Sequence, residues 1–122
     1  MNRSDFNEIV QQSIDSLPVK FRKALKNLSI VVEDSPAPEL LAEFGFEPDE
    51  TLLGLYVGVP LPDRAFADEP YLPDQIFIFR APLEKMCRTS AELRKQIRIT
   101  LIHEIAHYFG FDEDHLDRLG LG

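Results

Sequence analysis

The spacing of apolar and polar residues divides the chain into short helices, three strands and one long helix. Apolar side chains at helical spacing predict helices over residues 5–17, 18–26, 39–44 and 81–86. Runs rich in β-branched and aromatic residues predict strands over residues 28–33, 51–57 and 74–80. The proline-rich stretch 58–73 is loop-like, and we expect it to form a wall of a cleft.

The long helix has both a start signal and a stop signal in the sequence. Thr89 followed by Glu92 forms a capping box, which places the start of the helix near Ser90. Gly110 suits the left-handed conformation that ends a helix, so we expect the last helical residue to be Phe109. One face of this helix carries a stripe of core-type aliphatic residues: Leu93, Ile97, Leu101 and Ile105.

The same helix contains an H-E-x-x-H motif at residues 103–107. Residues four apart lie on one helical face, so His103 and His107 can direct two imidazoles at one zinc ion. Glu104 lies about 100° round the helix, where a base that takes a proton from a metal-bound water should be. The alternative interpretation is two core histidines bonded to backbone carbonyls. The paired spacing and the intervening glutamate favour the metal site.

The segment after Gly110 holds the candidates for a third zinc ligand. A catalytic zinc site has three protein ligands and one open position. In the metzincin pattern the third ligand lies three residues after the glycine, which is Glu113 here, although the methionine turn of metzincins is missing. Asp112, Asp114 and His115 are alternative ligands, and the acidic run is also typical of the first turn of a last helix.

Cys87 is a further candidate ligand, because a thiolate accompanies H-E-x-x-H in deformylase-like metal sites. It precedes the capped helix, at the end far from His103, so a free structural thiol is the favoured interpretation. With one cysteine the chain can form no internal disulfide, and nothing indicates an oxidising compartment.

The composition is consistent with one domain over residues 1–122. It also disfavours some classes of function. The net charge of −8 disfavours nucleic-acid binding, which needs a basic surface. The N-terminus lacks the apolar run of a signal peptide, and no stretch is long enough to span a membrane. We therefore expect a cytoplasmic protein with neither a nucleic-acid nor a membrane partner.

Four stretches of the chain resemble a known family. They are L-P-V-K-F-R-K-A-L-K-N-L-S-I-V-V-E-D at 17–34, L-L-G-L-Y-V-G at 52–58, P-D-Q-I-F-I-F-R-A-P-L-E at 73–84 and I-R-I-T-L-I-H-E-I-A-H-Y-F-G-F-D-E-D at 97–114. On these residues the chain is similar to the small bacterial proteins known as minimal zincin-like metallopeptidases. The resemblance implies a single compact α+β domain, with a small mixed sheet of about three to four strands packed on the motif helix. It also implies zinc held by His103, His107 and Glu113, although the family usually has aspartate at the last position.

The motif and the resemblance lead to one functional hypothesis, a zinc-dependent metallopeptidase acting on a peptide or protein substrate. Glu104 would be the general base for a zinc-activated water that attacks the peptide carbonyl. We expect the strand over residues 74–80 to lie at the sheet edge beside the cleft and to pair with an extended peptide.

Two other functions stay open. The small size of the chain favours a zinc-binding protein-interaction module without peptidase activity. A metal-dependent endoribonuclease is faintly indicated by Gly110, Asp112 and His115, but Glu104 and the acidic net charge disfavour it.

Overall fold

A small mixed sheet lies at the centre of the fold. The computed structural model describes residues 3–47, 52–59 and 74–118. Within these residues the sheet has three strands: β1 (Leu28–Glu33), β2 (Gly54–Val57) and β3 (Asp74–Phe79). Their spatial order is β1-β3-β2. β3 runs parallel to β1 and antiparallel to β2, so that Ile30 and Tyr56 both lie opposite Ile76.

β3 is the central strand, so the prediction that it lies at the sheet edge and pairs with a peptide is wrong. Both of its sides already pair with neighbouring strands. The I-F-I-F run explains this position. Ile76 and Ile78 are fully buried in the main core, while Phe77 and Phe79 stack on the opposite face with ring centroids 6.3 Å apart. A strand with apolar side chains on both faces is typical of a sheet interior.

Six α-helices surround the sheet within the described residues. They are α1 (Arg3–Asp15), α2 (Val19–Ala24), α3 (Pro38–Glu43), α4 (Arg80–Met86), α5 (Ser90–Phe109) and α6 (Glu113–Arg118). The helix predicted over 18–26 ends instead in a 3₁₀ turn at Leu25–Asn27 that leads into β1. From residue 60 onward, the loop predicted over 58–73 lies outside the described residues. Within the part of the chain that the structure describes, no helix combines the length and apolar character needed to cross a membrane.

The first turn of α5 is capped much as the sequence predicts. The N–H of Glu92 donates a hydrogen bond of 3.1 Å to the hydroxyl oxygen of Thr89. The carboxylate of Glu92 reaches one residue further back than a standard capping box, and accepts a bond of 2.8 Å from the N–H of Arg88. These bonds satisfy N–H groups that have no partner within the helix, so the start at Ser90 is fixed locally.

The last turn of α5 ends at a left-handed glycine, as predicted. Gly110 has a φ of 78°, and the N–H of Phe111 closes the turn with a bond of 2.8 Å to the carbonyl of Ala106. The rings of Phe109 and Phe111 then stack with centroids 5.1 Å apart, and Lys20 lies over both. This aromatic contact fixes the direction in which the chain leaves the helix.

The core lies between α5, α1 and one face of the sheet. The predicted aliphatic stripe of α5 is at most 2% exposed: Leu93, Ile97, Leu101 and Ile105. Burying each such side chain stabilises the fold by about 1.5–3 kcal/mol. The hydroxyl of Ser13 donates a bond of 3.2 Å to the carbonyl of Arg94, which joins α1 to α5, and lies 2.9 Å from the carbonyl of Ile9 in its own helix. The prediction of an α+β fold, with a small mixed sheet on the motif helix, is confirmed.

Candidate metal centre

The motif brings two imidazoles and one carboxylate together on α5. Because His103 and His107 are four residues apart, they share a helical face, and their ring centroids lie 4.7 Å apart. Glu104 lies beside them, and the ligand atoms offered by the three residues are all within 4.8 Å of one another. No second group of three or more histidine, cysteine or acidic residues that could hold a metal ion occurs in the described ranges.

The three side chains of this cluster differ in burial. Glu104 is only 7% exposed, whereas the His107 side chain is 49% exposed and His103 has intermediate exposure. Nδ1 of His107 lies 3.4 Å from Oε1 of Glu104, a distance suited to an ion pair when the imidazole is protonated. The cluster therefore opens to solvent at His107, and the carboxylate forms its floor.

Glu104 is held by the sheet as well as by its own helix. Its Oε1 accepts a hydrogen bond of 2.9 Å from the backbone N–H of Tyr56 in β2. Alternate residues of an antiparallel strand direct their N–H groups away from the partner strand. Tyr56 is at such a position. The N–H of Phe79 bonds to the carbonyl of Leu53, so the backbone groups of Leu53 face β3. Tyr56 lies three residues further along, so its backbone N–H faces away from β3. The outer edge of β2 therefore faces the metal cluster.

β2 can come this close to α5 because Gly54 has no side chain. A Cβ atom at Gly54 would lie 2.6 Å from Cγ2 of Thr100 and 3.0 Å from the carbonyl oxygen of Phe77. The same atom would be 3.6 Å from Cγ of Glu104. A glycine inside a strand commonly marks a close approach of backbone to another element. Here that approach brings the edge of the sheet within hydrogen-bonding distance of the motif glutamate.

Tyr56 also connects the site to the start of β3. Its hydroxyl donates a hydrogen bond of 2.7 Å to Oδ2 of Asp74, which is 2% exposed. Its ring packs edge-on against Tyr108 of α5, with centroids 6.2 Å apart. This contact and the burial of Tyr108 identify it as a packing residue.

The predicted third ligands lie at the start of α6. Asp112 caps this helix, since its Oδ1 accepts a bond of 2.8 Å from the N–H of His115. The ring of His115 stacks on Phe111 with centroids 3.9 Å apart, and Asp114 is exposed. Glu113 is the first residue of α6, but its side chain lies outside the described part of the structure. Its role as a ligand therefore stays a prediction.

Cys87 lies at the opposite end of α5 from the cluster. It precedes Ser90, and His103 is 13 residues further along the helix, about 20 Å away at 1.5 Å per residue. Burial raises the pKa of the Cys87 thiol, and the negative charge of Glu92 raises it further. A thiol with a raised pKa, distant from the imidazoles, is consistent with the structural role favoured by the sequence.

Sequence reasoning missed three residues near Glu104: Tyr56, which bonds to it, Asp74, which bonds to Tyr56, and Gly54, which lets β2 approach. Each had a local signal, because a glycine interrupts an apolar strand, a tyrosine hydroxyl needs a partner when buried, and an aspartate begins an apolar strand. None of these signals shows that β2 approaches Glu104. That approach depends on the tertiary packing of β2 on α5.

The donor set of the cluster fits a zinc ion. Two imidazole nitrogens with carboxylate oxygens as further ligands are a common zinc environment in proteins. The half-exposed His107 also leaves the cluster open to solvent, so that a metal ion can reach it. A buried, anchored carboxylate beside such a metal is suited to accept a proton.

Comparisons with known proteins show what this chain is similar to. A family model described as zincin-like metallopeptidase matches residues 25–122, which include the whole site. A solved structure of a conserved hypothetical protein from Thermus thermophilus is similar, with a TM-score of 0.53 and 18% identity over 98% of this chain and 97% of that chain. At this identity the likeness shows the fold alone. No curated protein matches the chain.

Proposed function

Because the chain belongs to the family of zincin-like metallopeptidases, we propose that it is a zinc-dependent peptidase acting on a peptide or protein substrate. The arrangement of Glu104 supports this proposal most directly. Its carboxylate is buried and anchored, and lies within 4.8 Å of the ligand atoms of His103 and His107. Metal-assisted hydrolysis needs a base at this place, beside the metal and shielded from bulk water.

In this proposal His103, His107 and Glu113 hold the zinc ion. A bound zinc ion lowers the pKa of a water molecule and polarises the scissile carbonyl. Glu104 accepts the proton of the attacking water and later donates it to the leaving amine. The N–H of Tyr56 and Nδ1 of His107 both lie close to Oε1 of Glu104, at 2.9 Å and 3.4 Å. We therefore propose that the other carboxylate oxygen, Oε2, accepts the proton of the attacking water.

We propose that the substrate pairs with β2 instead of β3. Within the described residues β2 has a strand neighbour on one side only, and its other edge faces the cluster. An extended peptide can add to such an edge through the backbone groups beside Tyr56, whose own N–H is bonded to Glu104. A peptide in this position would lie beside Glu104, whose ligand atoms are within 4.8 Å of those of His103 and His107.

Zinc-dependent peptide cleavage tests the proposal. Untagged protein is loaded with zinc and incubated with a broad pool of unstructured peptides, and the products are identified by mass spectrometry. We expect cleavage that stops when the zinc is chelated and returns when zinc is added back. His103→Ala should abolish it, because one of the two imidazoles is lost.

Gln96→Ala is the matched control, since Gln96 lies on the same helix two turns before His103 and is partly exposed. This variant should cleave the pool as the parent protein does. Equimolar zinc without any cleavage would contradict the peptidase and favour a zinc-binding interaction module. A protein that binds no zinc would contradict the site itself.

A further inference from the structure

A buried tyrosine–aspartate pair lies behind the carboxylate of Glu104. We propose that Asp74 and Tyr56 are positioning residues that set the place of Glu104 relative to the two histidines. This inference rests on the proposed function, because it assumes that Glu104 acts as the base. Its structural part, the dependence of the Tyr56–Glu104 bond on Asp74, can be measured without any turnover.

Burying the carboxylate of Asp74 lowers the stability of the fold. It is 2% exposed at the first position of an apolar strand, where an aliphatic side chain would avoid the cost of burying a carboxylate. Its Oδ2 accepts a bond of 2.7 Å from the hydroxyl of Tyr56, the usual length of an O–H···O hydrogen bond. A buried carboxylate with such a specific contact is consistent with a role beyond filling space.

The register of the sheet explains why this bond fixes β2. Tyr56 lies opposite Ile76, so Asp74, two residues earlier in β3, is its diagonal neighbour on the same face. An aromatic side chain can span that diagonal, which separates the residues by about 7–8 Å. A Cβ atom at Gly58 would lie 2.5 Å from Cγ of Asp74, so the backbone at the end of β2 passes directly over the carboxylate. The Tyr56–Asp74 bond therefore adds a side-chain link between β2 and β3 to the backbone ladder that pairs them.

Tyr56 links the position of β2 to the carboxylate of Glu104. Tyr56 is held at its hydroxyl by Asp74 and at its ring by Tyr108, and its N–H holds Oε1 of Glu104. If the hydroxyl bond is lost, β2 can shift, and the carboxylate of Glu104 shifts with it. Misplacing a reacting group by about 1 Å can lower a rate by about 100-fold.

Three variants and one control separate positioning from general stability. Tyr56→Phe removes the hydroxyl, Asp74→Ala removes its acceptor, and Asp74→Asn keeps an amide oxygen that can accept the same bond. Ser13→Ala is the control, because Ser13 is also a buried hydroxyl with long-range bonding, but it joins α1 to α5 away from the cluster. All four are assayed as zinc-loaded, full-length protein.

The kinetic readout is the separation of kcat from KM. We expect Tyr56→Phe and Asp74→Ala to lower kcat by about 10- to 100-fold, because the base is displaced. Any rise in KM, caused by the shift of β2 as the proposed peptide-binding strand, should be smaller than this fall in kcat. Asp74→Asn should restore most of the kcat lost in Asp74→Ala. An unchanged kcat in folded Tyr56→Phe, or an equal loss in Ser13→Ala, would overturn the proposal.

If the zinc-loaded protein has no peptidase activity, an NMR measurement tests whether Asp74 and Tyr56 position Glu104. The amide proton of Tyr56 should lie downfield in the parent protein and move upfield in Glu104→Ala, which removes the acceptor. In Asp74→Ala it should move in the same direction, and in Asp74→Asn it should stay near the parent position. If Asp74→Ala does not fold, the amide proton of residue 56 in Tyr56→Phe gives the same test. An unmoved resonance in a folded variant would overturn the positioning role, whatever the protein hydrolyses.

Discussion

The backbone N–H of Tyr56 donates a hydrogen bond of 2.9 Å to Oε1 of Glu104. The glutamate of the H-E-x-x-H motif is therefore fixed by the edge of the sheet, and not by its helix alone. The helix sets the direction of the Glu104 side chain, and the hydrogen bond from β2 sets the position of its carboxylate. Changes in β2 should consequently alter the site, even where they do not touch a histidine.

The first prediction concerns Gly54, where β2 approaches α5. Gly54→Ala should lower the free energy of unfolding by about 1–3 kcal/mol, since the added Cβ would lie 2.6 Å from Cγ2 of Thr100. It should also lower peptidase activity, because β2 must move away from Glu104. Denaturant unfolding and peptide turnover measure the two effects.

Thr100→Ser provides the matched background for this test. Serine keeps the hydroxyl that donates to the carbonyl of Gln96, but lacks the methyl group that the new Cβ would meet. Gly54→Ala should therefore cost less stability in the Thr100→Ser background than in the parent protein. An equal cost in both backgrounds would contradict the steric explanation.

The second prediction concerns Gly110, whose φ is 78°. Gly110→Ala should lower the free energy of unfolding by about 1–2 kcal/mol, because left-handed backbone is unfavourable for a residue with a Cβ atom. It should also weaken zinc binding, since the chain leaves α5 at this residue toward Glu113. Gly45→Ala is the control, because Gly45 has a φ of 79° and ends α3 instead. Zinc affinity lowered equally in both variants would contradict a role for the Gly110 turn.

The third prediction concerns the reactivity of Cys87. Because its pKa is raised, less of the thiol is ionised at neutral pH than in a free cysteine, and the thiolate is the reactive form. Alkylation by iodoacetamide should therefore be slower at neutral pH than that of a free cysteine, and its rate should reach a plateau only above the ordinary pKa range of a thiol. Cys87→Ala should keep equimolar zinc and unchanged turnover. Loss of zinc in this variant would show that Cys87 is a ligand.

The fourth prediction concerns the third zinc ligand. Glu113→Gln should lower zinc affinity by about 100-fold or more, since losing even a hydrogen-bonded neighbour of a ligand costs about 10- to 100-fold. Asp114→Asn removes the same charge one residue later and should leave the affinity nearly unchanged. Isothermal titration with zinc compares the two. The opposite ranking would assign the ligand to Asp114.

The sequence predicts the features that depend on neighbouring residues. The helix from Ser90 to Phe109 agrees at both ends, because its cap at Thr89 and its stop at Gly110 are encoded within a few residues. The approach of His103 to His107 likewise follows from helical spacing alone.

Features that depend on strand order could not be read from the sequence in the same way. The central position of β3 was predicted wrongly, although its two apolar faces already indicated a covered strand. The contact between Tyr56 and Glu104 spans 48 residues, and exists only because β2 lies over α5. A short motif specifies which groups can perform the chemistry, while the sheet determines where they are held.

The most direct test of the central claim is Glu104→Gln, with zinc content and peptide turnover measured on the same sample. Glutamine keeps the shape of the side chain and an oxygen that can accept the N–H of Tyr56, but it cannot take a proton from water. We predict equimolar zinc together with a fall in turnover of about 100- to 10,000-fold, the usual contribution of a general base. Unchanged turnover with zinc retained would contradict the assignment of Glu104 as the base.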